Sequence, residues 1–132
     1  MANIREAETL YSRTNVTLTT TTEGVVITSP LVTIPADAVQ VLIWAWGQLT
    51  TGASTTTVTP RIRRGTTITG ALIGEANAED VKAAAGSIEP YMIMLTEDVT
   101  QEDRIQYSFT LQQAGATGNG TVQQASILVL VF

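Results

Sequence analysis

Apolar and polar residues alternate with a period of two along much of the chain. From Arg104 to Gln112, Ile105, Tyr107, Phe109 and Leu111 fall on one side, and Arg104, Gln106, Ser108, Thr110 and Gln112 on the other. That alternation predicts an antiparallel strand with one face on a core and one in water. Two segments are apolar on both sides. In Val39 to Gln48, Val39, Val41, Ile43 and Ala45 share one face, and Leu42, Trp44 and Trp46 the other. The run Ile127-Leu128-Val129-Leu130-Val131-Phe132 is unbroken. A strand apolar on both faces is covered on both faces. An open apolar edge also invites aggregation, so residues 122–132 are expected inside a sheet.

Shorter extended segments fill the rest: Thr14 to Thr22, Val25 to Thr28, Leu31 to Ile34, Thr57 to Arg64, Ile68 to Glu75 and Tyr91 to Thr96. Glu23-Gly24, Ser29-Pro30, Pro35-Ala36-Asp37 and the Gly-rich stretch Gly115 to Gly120 supply turn signals. Residues 76–89, with their alanines, early acids and Gly86, predict a helix of about two turns. Residues 2–13 mix charge with Ile4, Leu10 and Tyr11 and read as a short helix or an arm. About eight strands at ~10–15-residue spacing predict an all-β fold. The expected architecture is an antiparallel β-sandwich, jelly-roll-like, with one short helix. The expected division is an N-terminal arm, 1–13, and a sandwich domain, 14–132. One short helix is too little to cover two doubly apolar strands, so a homo-oligomer is expected; a small closed barrel whose loops cover the second face is the alternative. Trp44, Trp46, Leu128, Leu130 and Phe132 are the candidate interface, although a lone tryptophan pair alternating with Val41, Ile43 and Ala45 also suits a core.

Composition narrows the chemistry. The chain has 132 residues with no cysteine and no histidine. There is thus no disulfide framework, no thiolate, no imidazole base and no Cys/His metal site. Charged residues are 14% of the chain, against about 25% in an average soluble domain. Threonine, a β-branched residue suited to half-exposed strands, takes 23 positions. The net charge of −5 and the single lysine, Lys82, disfavour broad nucleic-acid or anionic-membrane binding. No stretch reaches the ~18–20 uncharged apolar residues of a membrane span. The first residues lack the apolar core of a secretory signal, so cytoplasmic synthesis is expected.

Three clusters remain as candidate chemistry. Arg61, Arg63 and Arg64 can clamp a carboxylate-rich partner or a phosphate, or they can pair with the chain's own 12 carboxylates. Arg61 and Arg63, two residues apart on a strand, point to one side, with Ile62 and Arg64 on the other. Glu97, Asp98, Glu102 and Asp103 lie close together, but without EF-hand spacing or a glycine turn they read as a solvated loop rather than a calcium site. Trp44 and Trp46 suit a carbohydrate platform or an interface hot spot. The paired glutamines Gln112-Gln113 and Gln123-Gln124 are placed to face each other across a hairpin. No catalytic residue, cofactor site or metal site emerges.

Two segments, Val32 to Gly47 and Pro60 to Glu75, together about a quarter of the chain, carry a resemblance. The pattern Thr33-Ile34-Pro35-Ala36 leading into Val39, Val41 and Gly47, followed by Arg61, Arg63, Arg64 and Gly65, resembles small β-sandwich modules of tailed-bacteriophage capsid decoration (cement) proteins and of tail-fibre domains. The apolar last strand is similar to that of trimeric jelly-roll proteins of the tumour-necrosis-factor type. The resemblance implies a non-enzymatic virion protein, trimeric, seated on the outer capsid lattice against the major capsid protein. It carries over no catalytic residue. Ile4, Leu10 and Tyr11 are then the expected anchors of an arm on a neighbouring shell subunit, with Arg61, Arg63 and Arg64 as further partner contacts. A receptor- or carbohydrate-binding head of a tail fibre is the alternative.

Overall fold

The computed structural model describes residues 4–12, 16–18, 22–50, 56–81, 88–100, 102–114 and 120–132. Among them the regular elements are strands: β1 (Glu6–Ser12), β2 (Val16–Thr17), β3 (Glu23–Thr28), β4 (Val32–Ile34), β5 (Gln40–Thr50) and β6 (Thr56–Arg64) in the first half. β7 (Leu72–Glu75), β8 (Glu79–Val81), β9 (Glu89–Asp98), β10 (Glu102–Ile105), β11 (Tyr107–Ala114) and β12 (Thr121–Val131) follow.

Two antiparallel sheets pack face to face. Sheet A has the order β1-β12-β5-β9, with β2 also on β12. Sheet B has the order β3-β11-β6-β7, with β8 also on β6, and β4 pairs with β10 apart from both. Setting aside the accessory strands β2, β4, β8 and β10 leaves eight. In chain order those eight run first-eighth-third-sixth in one sheet and second-seventh-fourth-fifth in the other. That is the two-Greek-key order of a jelly roll, so the expected all-β antiparallel sandwich is the fold observed.

The core lies between the sheets. Sheet A contributes Val41, Ile43, Ala45 and Leu49 of β5, Val122, Ala125, Ile127, Val129 and Val131 of β12, and Tyr91 and Ile93 of β9. Sheet B answers with Val58 and Ile62 of β6 and Tyr107, Phe109 and Leu111 of β11. The rings of Tyr91 and Phe109 meet across the gap with centroids 5.7 Å apart. Each buried aliphatic or aromatic side chain contributes about 1.5–3 kcal/mol, which holds the layers together.

Two local features set the outer face of sheet A. At Gly47 a Cβ would lie 2.5 Å from the Gln124 carbonyl oxygen and 2.8 Å from the Tyr91 hydroxyl, so only glycine lets the strands close there. The register of β12 slips between Val122, opposite Leu49, and Gln124, opposite Gln48. This bulge keeps Val122 in the core while turning Gln124 outward beside Gln48.

Several expectations need correction. The helix expected over 76–89 does not form in its described part: Glu79–Val81 is a strand paired with Thr56–Val58, and Glu89 opens β9. Ladder pairing along β6 overrides local helix propensity there; residues 82–87 lie outside the described residues. Glu23 and Gly24 sit inside β3, paired with Gln112 and Leu111, rather than in a turn. The two glutamine pairs do not face each other across a hairpin, because β11 and β12 belong to different sheets. Residues 6–12 of the expected arm form β1, the edge of sheet A, from Glu6 opposite Val131 to Ser12 opposite Ala125.

Candidate functional site

Strand alternation sends one side of each sheet A strand to the core and the other to the outside. The register lines up the outward residues in rows across four strands. One row is Ala7, Leu130, Leu42 and Thr96; the next is Thr9, Leu128, Trp44 and Met94. A third is Tyr11, Ser126, Trp46 and Met92, and beyond it stand Gln124, Gln48 and Pro90. None of these side chains is ionised at neutral pH. Trp44 is 36% exposed, Met92 57% and Met94 60%, while Trp46, Leu42, Leu128, Leu130 and Phe132 are half-buried. All five candidate interface residues therefore lie off the core, and neither tryptophan is a core residue. The indole rings pack on each other with centroids 5.0 Å apart, tilted by 45°.

Beside the tryptophans lies a concavity of about 650 Å³, lined by Trp44, Trp46, Gly47, Gln48, Pro90, Tyr91 and Met92. A smaller one of about 90 Å³ lies on the other side of Trp46, toward Tyr11, Gln124 and Ser126. The Tyr91 hydroxyl is buried with no hydrogen-bond partner among the described residues. Burial pushes its ionisation well above the usual phenol range, so it stays protonated.

The arginines occupy two different places. Arg61 and Arg63 stand on the outer face of sheet B, as their spacing predicts. Arg63 forks onto Glu23 of β3, with Nε donating at 2.7 Å and Nη2 at 2.8 Å, and its Nη1 donates to the Gly70 carbonyl at 3.0 Å. Arg61 Nε donates to Glu75 of β7 at 2.8 Å, and its Nη1 donates to Gln112. The Thr110 hydroxyl completes the Glu23 site. Burial pushes the Glu23 carboxyl upward, but hydrogen bonds from Arg63 and Thr110 and the charges of Arg63 and Arg61 outweigh it, leaving the carboxyl below its ordinary value. The Glu23 hydrogen bond, working against partial burial, holds the Arg63 guanidinium still more firmly protonated. Arg64 points inward at the rim of the sandwich. Its Nη2 donates at 2.8 Å to Glu97 of β9, which also accepts the Tyr107 hydroxyl at 2.6 Å. That contact ties sheet B to sheet A.

The expected anchors Ile4, Leu10 and Tyr11 are 56%, 39% and 50% exposed. Tyr11 shares the outer face with Trp46, whereas Leu10 lies opposite Ile127 on the inward side of the edge strand. The four acids expected in one solvated loop lie in strands instead, Glu97 and Asp98 at the end of β9 and Glu102 and Asp103 in β10: Glu97 serves Arg64 and Tyr107, and Asp98 accepts a long 3.4 Å contact from Gln40. No group of three acids that can hold a metal ion is found among the described residues. Sequence reasoning missed Glu23 as the partner of Arg63 and the glutamines beside Trp46. The even-residue alternation of β5, which puts Gln48 in line with Trp44 and Trp46, was the available signal for one of them.

No protein-family model matches the chain, and no curated protein matches it in sequence. The fold does have solved counterparts. A chain in the structure of infectious bursal disease virus, Gt strain, is similar over 98% of this chain with a TM-score of 0.54 and 9% identity. The Gx strain structure gives a TM-score of 0.50, again with 9% identity and 98% of this chain covered. This chain spans only about a third of the length of those chains, 33% and 34%. The likeness is one of fold: the sandwich is of a kind present in solved virus structures.

Proposed function

We propose that this chain is a non-enzymatic virion structural protein, a capsid decoration or cement protein that binds the outer shell as a trimer and stabilises it. The observation that carries the reading is the patch on the outer face of sheet A where Trp44, Leu128, Leu130 and Met94 line up, with no charged side chain in their rows and without a covering element among the described residues. A contiguous apolar patch marks a contact surface, and copies of a chain carrying −5 charge repel one another least through rows that carry none; Asp98, opposite Gln40, stands at the end of the face beyond those rows. The fold's presence in structures of a virus supports the same reading.

The shell contact is assigned to β1. It is an edge strand with Tyr11 exposed on it and Ile4 exposed just ahead of it, and an edge strand docks on a neighbouring sheet or groove through its backbone and alternate side chains. The partner is the major capsid protein of the shell, and the location is the virion surface. Deleting residues 1–13 and measuring cosedimentation with undecorated shells tests this. Loss of binding with the trimer retained supports the assignment; unchanged affinity refutes it.

A further inference from the structure

The outer face of sheet A is not uniform. One half is aliphatic, with Leu42, Leu128, Leu130 and Met94 around Trp44. The other half is aromatic and amide-bearing: Trp46 lies between Met92 on one side and Ser126 and Tyr11 on the other, with Gln48 and Gln124 in the next row. The two concavities beside the tryptophans flank Trp46 in this second half. Together they form a shallow groove running across β9, β5, β12 and β1. Three interstrand spacings make it about 14 Å long, which suits an oligomer of a small unit better than a single one.

We propose that this groove binds a neutral oligosaccharide. A pyranose ring has apolar C–H faces and hydroxyls around its rim. It needs a flat aromatic surface with hydrogen-bonding side chains beside it, and Trp46 with Gln48 and Gln124 side by side in the adjoining row offers that pairing. Each amide supplies both donors and an acceptor, as vicinal hydroxyls require. No lining side chain of either concavity is ionised at neutral pH, and the chain carries −5. Nothing in the groove compensates a sialic acid, uronic acid or sulfate, so the saccharide is uncharged. A purely aliphatic occupant, such as an acyl chain, would leave the amides desolvated without partners. The Gln123 bulge, which turns Gln124 outward, and Gly47, which admits the close strand approach beneath Trp46, both act at this half of the face.

The inference goes beyond the decoration reading and does not depend on it: the aliphatic half is left for subunit contact, and the groove opens at its border. The chain's two tryptophans are Trp44 and Trp46, so intrinsic fluorescence reports this face alone. The test titrates the full chain with neutral gluco-, manno- and galacto-oligosaccharides of four to six units, and with sialylated and sulfated oligosaccharides as counter-probes. Both calorimetry and tryptophan emission are followed. The expected result is binding of at least one neutral member with a Kd below about 1 mM and a change in emission. Trp46→Ala then weakens it about tenfold or more, and Gln48→Ala several-fold. If Trp46→Ala fails to fold, Trp46→Phe and Gln48→Ala carry the comparison. No binding of any neutral member up to about 10 mM overturns the proposal. So does preference for the anionic probes, or binding that both Trp46 and Gln48 variants leave unchanged. The solution mass of the same samples reports separately on the trimer, so failure of one reading does not mimic failure of the other.

Discussion

Replacing Glu23 by glutamine keeps the side chain's shape and removes its charge. In the folded chain that carboxylate takes both arms of Arg63, at 2.7 and 2.8 Å, accepts the Thr110 hydroxyl, and lies 3.9 Å from Arg61 Nη1. The Glu23 side chain is 11% exposed and that of Arg63 17%, so the pair is neither fully solvated nor dry. An exposed pair contributes about 0–1 kcal/mol and breaking a buried one costs about 3–5 kcal/mol, which places Glu23→Gln near 2 kcal/mol. For a chain of this size that lowers Tm by roughly 5–10 °C. The effect has a pH signature. The folded carboxyl sits below its ordinary value. Its contribution is therefore complete above the unfolded carboxylate range near 4.3 and is lost as the pH falls through the lower folded value. Urea unfolding of both proteins at equal chain concentration should show the full gap at about pH 7 and a closing gap toward about pH 3. A difference under about 0.5 kcal/mol at neutral pH, or one that does not change with pH, refutes the ion-pair reasoning.

Other substitutions probe the rest of the sandwich. Gly47→Ala places a methyl 2.5 Å from the Gln124 carbonyl and 2.8 Å from the Tyr91 hydroxyl, and should cost about 2 kcal/mol or more in urea unfolding. Gly65→Ala, at φ +98° with nothing within 4 Å of the added methyl, should cost only about 1 kcal/mol, from backbone strain alone. Phe109→Ala empties a site with 0% exposure against Tyr91 and should cost about 3–5 kcal/mol, read by the same unfolding assay.

Much of this arrangement was legible from alternation alone. The clean pattern of residues 104–112 places Tyr107, Phe109 and Leu111 in the core, and the offset of Arg64 from Arg61 and Arg63 appears as two separate contacts on opposite faces of β6. Alternation fails where both faces are apolar. It separates Val41, Ile43 and Ala45 from Trp44 and Trp46, but it cannot say which set meets the other sheet, because that depends on the neighbouring strands. Long-range partners were hidden for a related reason: Glu23 reaches Arg63 across 40 residues, by way of β11 between their strands. The segment 76–89 misled because its alanines favour helix locally, while the edge of β6 selects a strand for Glu79–Val81.

In the proposed trimer, other copies of the chain cover the aliphatic half of sheet A. Light scattering at micromolar concentration, on the wild-type chain and on Leu128→Arg, decides whether they do. A charge placed in that row has no partner there and should disperse the assembly while the circular dichroism of the sandwich is retained. The proposed trimer requires a wild-type mass close to three times the 14.0 kDa of one chain and a single-chain mass for the variant. A wild-type protein that runs at the mass of one chain contradicts it.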